Sequence, residues 1–198
     1  MGHNLEETIA VLERTPAALD ALLRGLPDRW TMRNEGGETF TVYDVIGHLV
    51  HGERADWMVR AKMVVDFGEA RTFERFDRMA HVKESEGKSL AELLDEFARV
   101  RASNLTELRK WKFGKLELEK RGQHPGFGVV TLSELLATWA AHDMTHLHQI
   151  SRIMAHQYRE LVGPWSVYLG VLQCAGHSAT PGMARPEGGE LRRGVWRE

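Results

Sequence analysis

Cysteine occurs once in the 198 residues, at Cys174. A single thiol excludes an intramolecular disulfide and fits a reducing, cytoplasmic setting. Cys174 follows an apolar run and has no cationic neighbour in sequence, so inert burial is expected for it. No run of eighteen apolar residues exists, so no membrane span is expected. The opening MGHNLEETIAVLERTP carries early acids and no continuous apolar block, which is not the pattern of a secretory signal. A surplus of one charge is also missing: Lys+Arg total 26 against Asp+Glu 28, a formal net charge of −2. That balance argues against nucleic acid as a partner. No repeat of about 20–50 residues is visible. No convincing strand pair is visible either, because VKESEGKS and LELEKRG are too polar or too short to build a sheet.

What remains is helical. Leu5, Ile9, Leu12, Leu19, Leu22, Leu23 and Leu26 recur at threes and fours, predicting a helix from about Asn4 to Gly25. Asn4 with Glu7 suits its N-cap. Pro16 should kink or restart it, with Thr15 as the new cap. Thr41 with Asp44 opens a second helix to about Phe67, carrying Val45, Ile46, Leu49, Trp57, Val64 and Val65. Ser89 with Glu92 opens a third, to about Lys112, on Leu93, Leu94, Phe97, Val100, Leu108 and Trp111. The loop KFGKLELEKRGQHPGFG leads to Thr131 and Glu134, which cap a fourth helix running to about Tyr158. VGPWSVYLGVLQC is apolar enough to pack back as a short addition starting near Pro164. The expected class is all-α, a four-helix bundle over residues 1–175. Residues 176–198, rich in Gly, Pro and charge, read as an extended or disordered tail.

Histidine is the outlier, at 10 residues, and it gathers in AAHDMTHLHQISRIMAHQ, residues 140–157. Residues four apart on a helix differ by only about 40°. His142 and His146 therefore share a face, and Leu135, Trp139, Gln149 and Ile153 lie on the same stripe. His148 points nearly opposite, and His156 sits in the last turn, where a cation suits the helix dipole. Two imidazoles so placed can hold one metal ion, and a facing helix would supply a third ligand. In IGHLVHGE the second helix offers His48 and His51. The wheel places His48 nearer the Val45–Leu49 face, by a modest margin. The competing reading is a pair of core-edge histidines satisfied by Asp143 or Gln149.

Three stretches resemble the DinB-like superfamily of small bacterial bundle proteins. TLSELLATWAAHDMTHLHQISRIMAHQYRELVGPWSVYL is similar to its last helix and exit. TVYDVIGHLVHGERADWMVR is similar to its second helix, and RGQHPGFGVVTL to the loop before the last. The likeness spans about residues 5–173. It implies a DinB-like four-helix bundle holding a divalent metal, nickel or zinc, on His48, His142 and His146. It also implies a homodimer.

A three-histidine site leaves the metal an open position, the usual catalytic arrangement. Two reactions follow for a small-molecule substrate. The first is activation of a low-molecular-weight thiol as co-substrate and its transfer to an electrophile, as the resemblance implies for relatives using bacillithiol, mycothiol or glutathione. The second is hydrolysis by an activated water. A third reading, from another class, is a stress-related bundle that binds metal or ligand without catalysis. HDMTH has the spacing of a zinc-protease HExxH motif, but Asp143 is one methylene short of the general-base Glu. Asp143 is therefore expected to orient a ligand histidine or to meet a neighbouring donor. Gln149 is expected either to bond a ligand or substrate or to make a plain buried hydrogen bond. Trp57, Trp139 and Trp165 read as pocket lining or, more simply, core. Glu53 and Arg60 either touch substrate or are solvated. His124 either overhangs the site or sits in a turn.

Overall fold

The computed structural model describes residues 3–174. The expected domain boundary and the tail from 176 lie outside the described residues. The chain begins with α1 (Leu5–Leu12), α2 (Thr15–Leu23) and the one-turn α3 (Asp28–Thr31). It continues with α4 (Val42–Ala55), α5 (Trp57–Phe67), α6 (Ala80–Glu84), α7 (Leu90–Lys110) and the short α8 (Lys115–Leu118). Strands β1 (Arg121–His124) and β2 (Gly128–Thr131) precede the long α9 (Leu132–His156). A 3-10 turn (Gly163–Tyr168) and α10 (Gly170–Gln173) form the short C-terminal addition. Four helical rods, α1–α2, α4–α5, α7 and α9, make a four-helix bundle. α7 packs on α2 and α4, and α9 packs on α1, α4 and α5.

The caps decide where the rods begin. Asn4 accepts hydrogen bonds from the Glu6 and Glu7 amides. Thr41 with Asp44, Ser89 with Glu92, and Thr131 with Glu134 each form a reciprocal capping box. These are the pairs the sequence nominates. Thr15 is different. Arg14 precedes the first turn of α2, no side chain caps it, and the Thr15 hydroxyl is buried among apolar groups without a partner in the described residues.

The second rod is not one helix. It breaks at Asp56 (φ −118°, ψ −79°). The restart at α5 brings Trp57 into the core, stacked on Trp139 with ring centroids 6.0 Å apart. The expectation of no strand pair is also corrected. β1 and β2 form an antiparallel hairpin with Arg121 opposite Thr131 and His124 opposite Gly128. Its polar sequence RGQH hides it, because it pairs over the bundle without an alternating apolar face. Gly122 makes the seat possible: a Cβ there would lie 2.7 Å from Val64 Cγ2 and 2.9 Å from Phe73 Cζ.

Two apolar clusters stack along the bundle. One contains Leu12, Trp57, Leu105, Leu136 and Trp139. The other contains Leu19, Ile46, Leu49, Phe97, Ile150 and Ile153. On three rods the chain passes from one cluster to the other through a polar residue: Glu53 between Leu49 and Trp57, Arg101 between Phe97 and Leu105, and Asp143 with His146 between Trp139 and Ile150. The interface between the two clusters is where the chemistry collects. Cys174 is exposed, against the expectation of burial. Trp165 is 69 % exposed, so it is neither core nor pocket lining. Among the described residues no helix is long and apolar enough to cross a membrane.

Candidate metal centre

α4 and α9 bring His48, His142 and His146 together. One ring nitrogen from each lies within 4.8 Å of the others, and no acid or thiol among the described residues joins the group. The Nε2 atoms of His142 and His146 are 3.0 Å apart, well inside the span that two nitrogen–metal bonds of about 2.0–2.1 Å can bridge. His146 Nδ1 donates to Gln149 Oε1 at 2.8 Å, so its Nε2 is left with a free lone pair. The expected stripe of His142, His146 and Gln149 on one face of α9 is thus realised, and His148 is exposed on the other.

The setting keeps the imidazoles neutral, the form in which they ligate metal. Burial, then the neighbouring His146, His81 and Arg78, lowers His48 to about 3. Burial, then His146, His48 and Arg101, lowers His142 to about 2. His146 is also lowered by burial, although Gln149 and Asp143 oppose the shift. The Nδ1 atoms of His48 and His142 are buried with no hydrogen-bond partner among the described residues. Aromatic walls account for the desolvation. Phe76 meets His48 edge-on at 5.6 Å, Phe40 lies 6.1 Å from it, and Trp57 meets His142 edge-on at 5.0 Å. Three neutral imidazoles, two buried and one half-buried, whose only contact with one another is the Nε2–Nε2 approach of His142 and His146, are a donor set that fits a divalent ion.

Beside the triad lies a buried ionic network. Arg101 Nη1 donates to Asp143 Oδ2 (2.7 Å) and to the Leu12 carbonyl (2.8 Å), and Nη2 donates to Asp143 Oδ1 (3.0 Å) and Glu53 Oε1 (2.8 Å). Glu53 also accepts from Trp139 Nε1 (2.8 Å) and Asn104 Nδ2 (2.9 Å). Burial alone would lower Arg101, but hydrogen bonds and charge from Asp143 and Glu53 outweigh it and raise it. Asp143 therefore meets a neighbouring donor rather than a ligand histidine. Glu53 is buried rather than solvated.

The other candidates separate cleanly. His51 turns aside, its Nδ1 3.0 Å from Glu84 Oε1. Arg60 pairs with Asp56 at 2.6 Å. His124 Nδ1 accepts from the Gly126 and Phe127 amides and so closes the hairpin turn. Arg101, His81, Phe40 and Phe76 escaped the sequence reading. Only Arg101 left a signal, as a charge at the 97–101–105–108 stripe of α7. His81 and Phe76 come from a polar connection with no periodicity, and only its folding over α4 reveals them.

A family model described as the DinB superfamily matches residues 11–150. The chain belongs to the DinB superfamily. A search among curated proteins gives no match. Among solved structures the chain is similar to YfiT from Bacillus subtilis, described as a probable metal-dependent hydrolase with an unusual four-helix bundle topology. The identity is 20%, the TM-score 0.66, and the match covers 79% of this chain and 87% of that one. At that identity the likeness establishes the shared fold.

Proposed function

We propose that this protein is a divalent-metal-dependent enzyme acting on small molecules, with His48, His142 and His146 as the ligands. The observation that carries the reading is the convergence of three neutral imidazoles, two buried and one half-buried, within 4.8 Å of one another. Nickel or zinc bound there supplies Lewis acidity that activates a nucleophile at neutral pH. The chain supplies the rest. Gln149 holds His146 in the tautomer that presents Nε2, and Phe40, Phe76 and Trp57 keep the triad dry.

The preferred reaction is transfer of a low-molecular-weight thiol onto an electrophile. Asp143 and Glu53, the buried acids of α9 and α4, are committed to Arg101, and Asp44 is held in the Thr41 cap, so none of the three serves as a general base. A divalent ion held by His48, His142 and His146 would itself favour the thiolate, so thiol transfer would need no such base. Hydrolysis is the second reading, favoured by the description of YfiT. A homodimer in the cytoplasm is the proposed working form.

The test begins with metal content per chain, by elemental mass spectrometry on untagged protein purified without chelator. About one equivalent supports the site. A thiol-dependent shift in the absorption of the nickel- or cobalt-loaded protein supports transfer, and turnover without any thiol supports hydrolysis. No bound metal after incubation with these ions refutes the metalloenzyme reading. Metal without turnover of either kind leaves a non-catalytic binding bundle.

A further inference from the structure

His81 is 1% exposed and lies on α6, outside the triad. α6 sits directly on α4 because residue 47 is glycine. A Cβ there would meet the Ser85 hydroxyl and lie 3.5 Å from His81 Cδ2. Tyr43 fastens the same contact, its single hydroxyl hydrogen shared between the carbonyls of Ser85 (2.6 Å) and Lys88 (2.8 Å). The ring of His81 meets Phe40 edge-on at 4.9 Å and His48 edge-on at 5.7 Å, with an 85° interplanar angle in the second pair.

The tautomer of His81 is fixed by chemistry. Its Nδ1 lies 2.9 Å from the carbonyl oxygen of Arg78, which can only accept, so Nδ1 carries the hydrogen. Nε2 therefore has a lone pair, and it is buried with no partner among the described residues. The neighbouring ring has the complementary deficit. His48 Nδ1 is also buried and unpartnered. A ligand histidine that binds metal through Nε2 carries its hydrogen on Nδ1 and needs an acceptor there. His146 obeys this rule through Gln149. For His48, the adjoining buried acceptor is His81.

We propose that His81 is a positioning residue for the metal centre, its Nε2 accepting the Nδ1–H of His48 through one bridging water, since the two buried atoms share no direct hydrogen bond. That link fixes the tautomer of His48 and leaves its Nε2 for the metal shared with His142 and His146. The inference rests on the metal-centre reading above and adds a residue that touches neither metal nor substrate.

The test is a zinc competition titration of the full chain against a chromophoric chelator, for wild type, His81→Phe and His81→Gln. Phe keeps the aromatic contact with Phe40 and deletes the acceptor; Gln restores an acceptor. His81→Phe is expected to bind zinc about 10–100-fold more weakly, and His81→Gln to recover most of the loss. In the zinc-loaded wild type, nitrogen-15 spectra should show a slowly exchanging Nδ1 proton on His48 that His81→Phe removes. His81→Phe binding within twofold of wild type overturns the proposal, as does an equal loss in both variants. A rapidly exchanging His48 proton in the wild type overturns it even where a variant fails to fold. Absence of zinc binding by the wild type overturns the metal-centre reading itself, so the two failures are distinguishable.

Discussion

Replacing Arg101 by methionine should be among the most damaging single changes in this fold. The guanidinium is 2% exposed and makes four hydrogen bonds, to the Leu12 carbonyl, twice to Asp143 and once to Glu53. Methionine fills most of the volume, so the loss is electrostatic rather than a cavity. Asp143 loses its ion-pair partner entirely, while Glu53 keeps Trp139 and Asn104. Removing one partner of a buried ion pair costs about 3–5 kcal/mol. That is a large share of the ~5–15 kcal/mol by which a domain is stable. Arg101→Lys keeps the charge but not the fork that grips Asp143 at two oxygens, so it should fall between the two. Urea unfolding followed by far-ultraviolet circular dichroism measures the difference. Asp143→Asn in the Arg101→Met background should then cost less than in the wild type, because the uncompensated charge is already there. A loss below about 1 kcal/mol in Arg101→Met, with an unchanged denaturant slope, would refute the view that this network holds the bundle together.

Three further outcomes follow from the site and its surroundings. Gln149→Leu should weaken zinc binding by about tenfold or more without unfolding the protein, read by chelator competition, because His146 loses the acceptor that fixes its tautomer. The metal-free protein should lose stability as pH falls below about 6.5. There the unfolded chain protonates His48 and His142, while the folded chain holds them neutral down to about 3 and about 2. Protons taken up only by the unfolded state lower stability by up to about 1.4 kcal/mol per pH unit each. Above the unfolded value both states are neutral and the contribution vanishes. A flat urea midpoint between pH 7 and pH 5 would contradict this burial. Gly122→Ala should destabilise by about 1–3 kcal/mol, since its Cβ would overlap Val64 Cγ2 at 2.7 Å and Phe73 Cζ at 2.9 Å. A thermal midpoint equal to wild type would show that the hairpin can lift off α5 without cost.

The rods and their starts are legible in local sequence. Asn4, Thr41, Ser89 and Thr131 are local signals, and each reads the same in the chain and in the fold because capping spans only three or four residues. The sequence also determined that His142, His146 and Gln149 share a face, which follows from helical spacing alone. Which residue of α4 completes the group was less legible, since His48 and His51 lie toward one edge of the same stripe. The fold separates them by giving His51 the carboxylate of Glu84. Tertiary structure decided what local pattern cannot carry. The break at Asp56 follows from the place Trp57 takes against Trp139. The RGQH strand is stabilised by pairing with β2 and by the close approach Gly122 permits, not by propensity. Arg101, Glu53 and Asp143 lie about 40–90 positions apart, and their charges are tolerable in the core only because the folded chain brings them together. His81 belongs to the same class: nothing in its neighbours along the chain marks it, and its place beside His48 exists only once α6 has closed over Gly47.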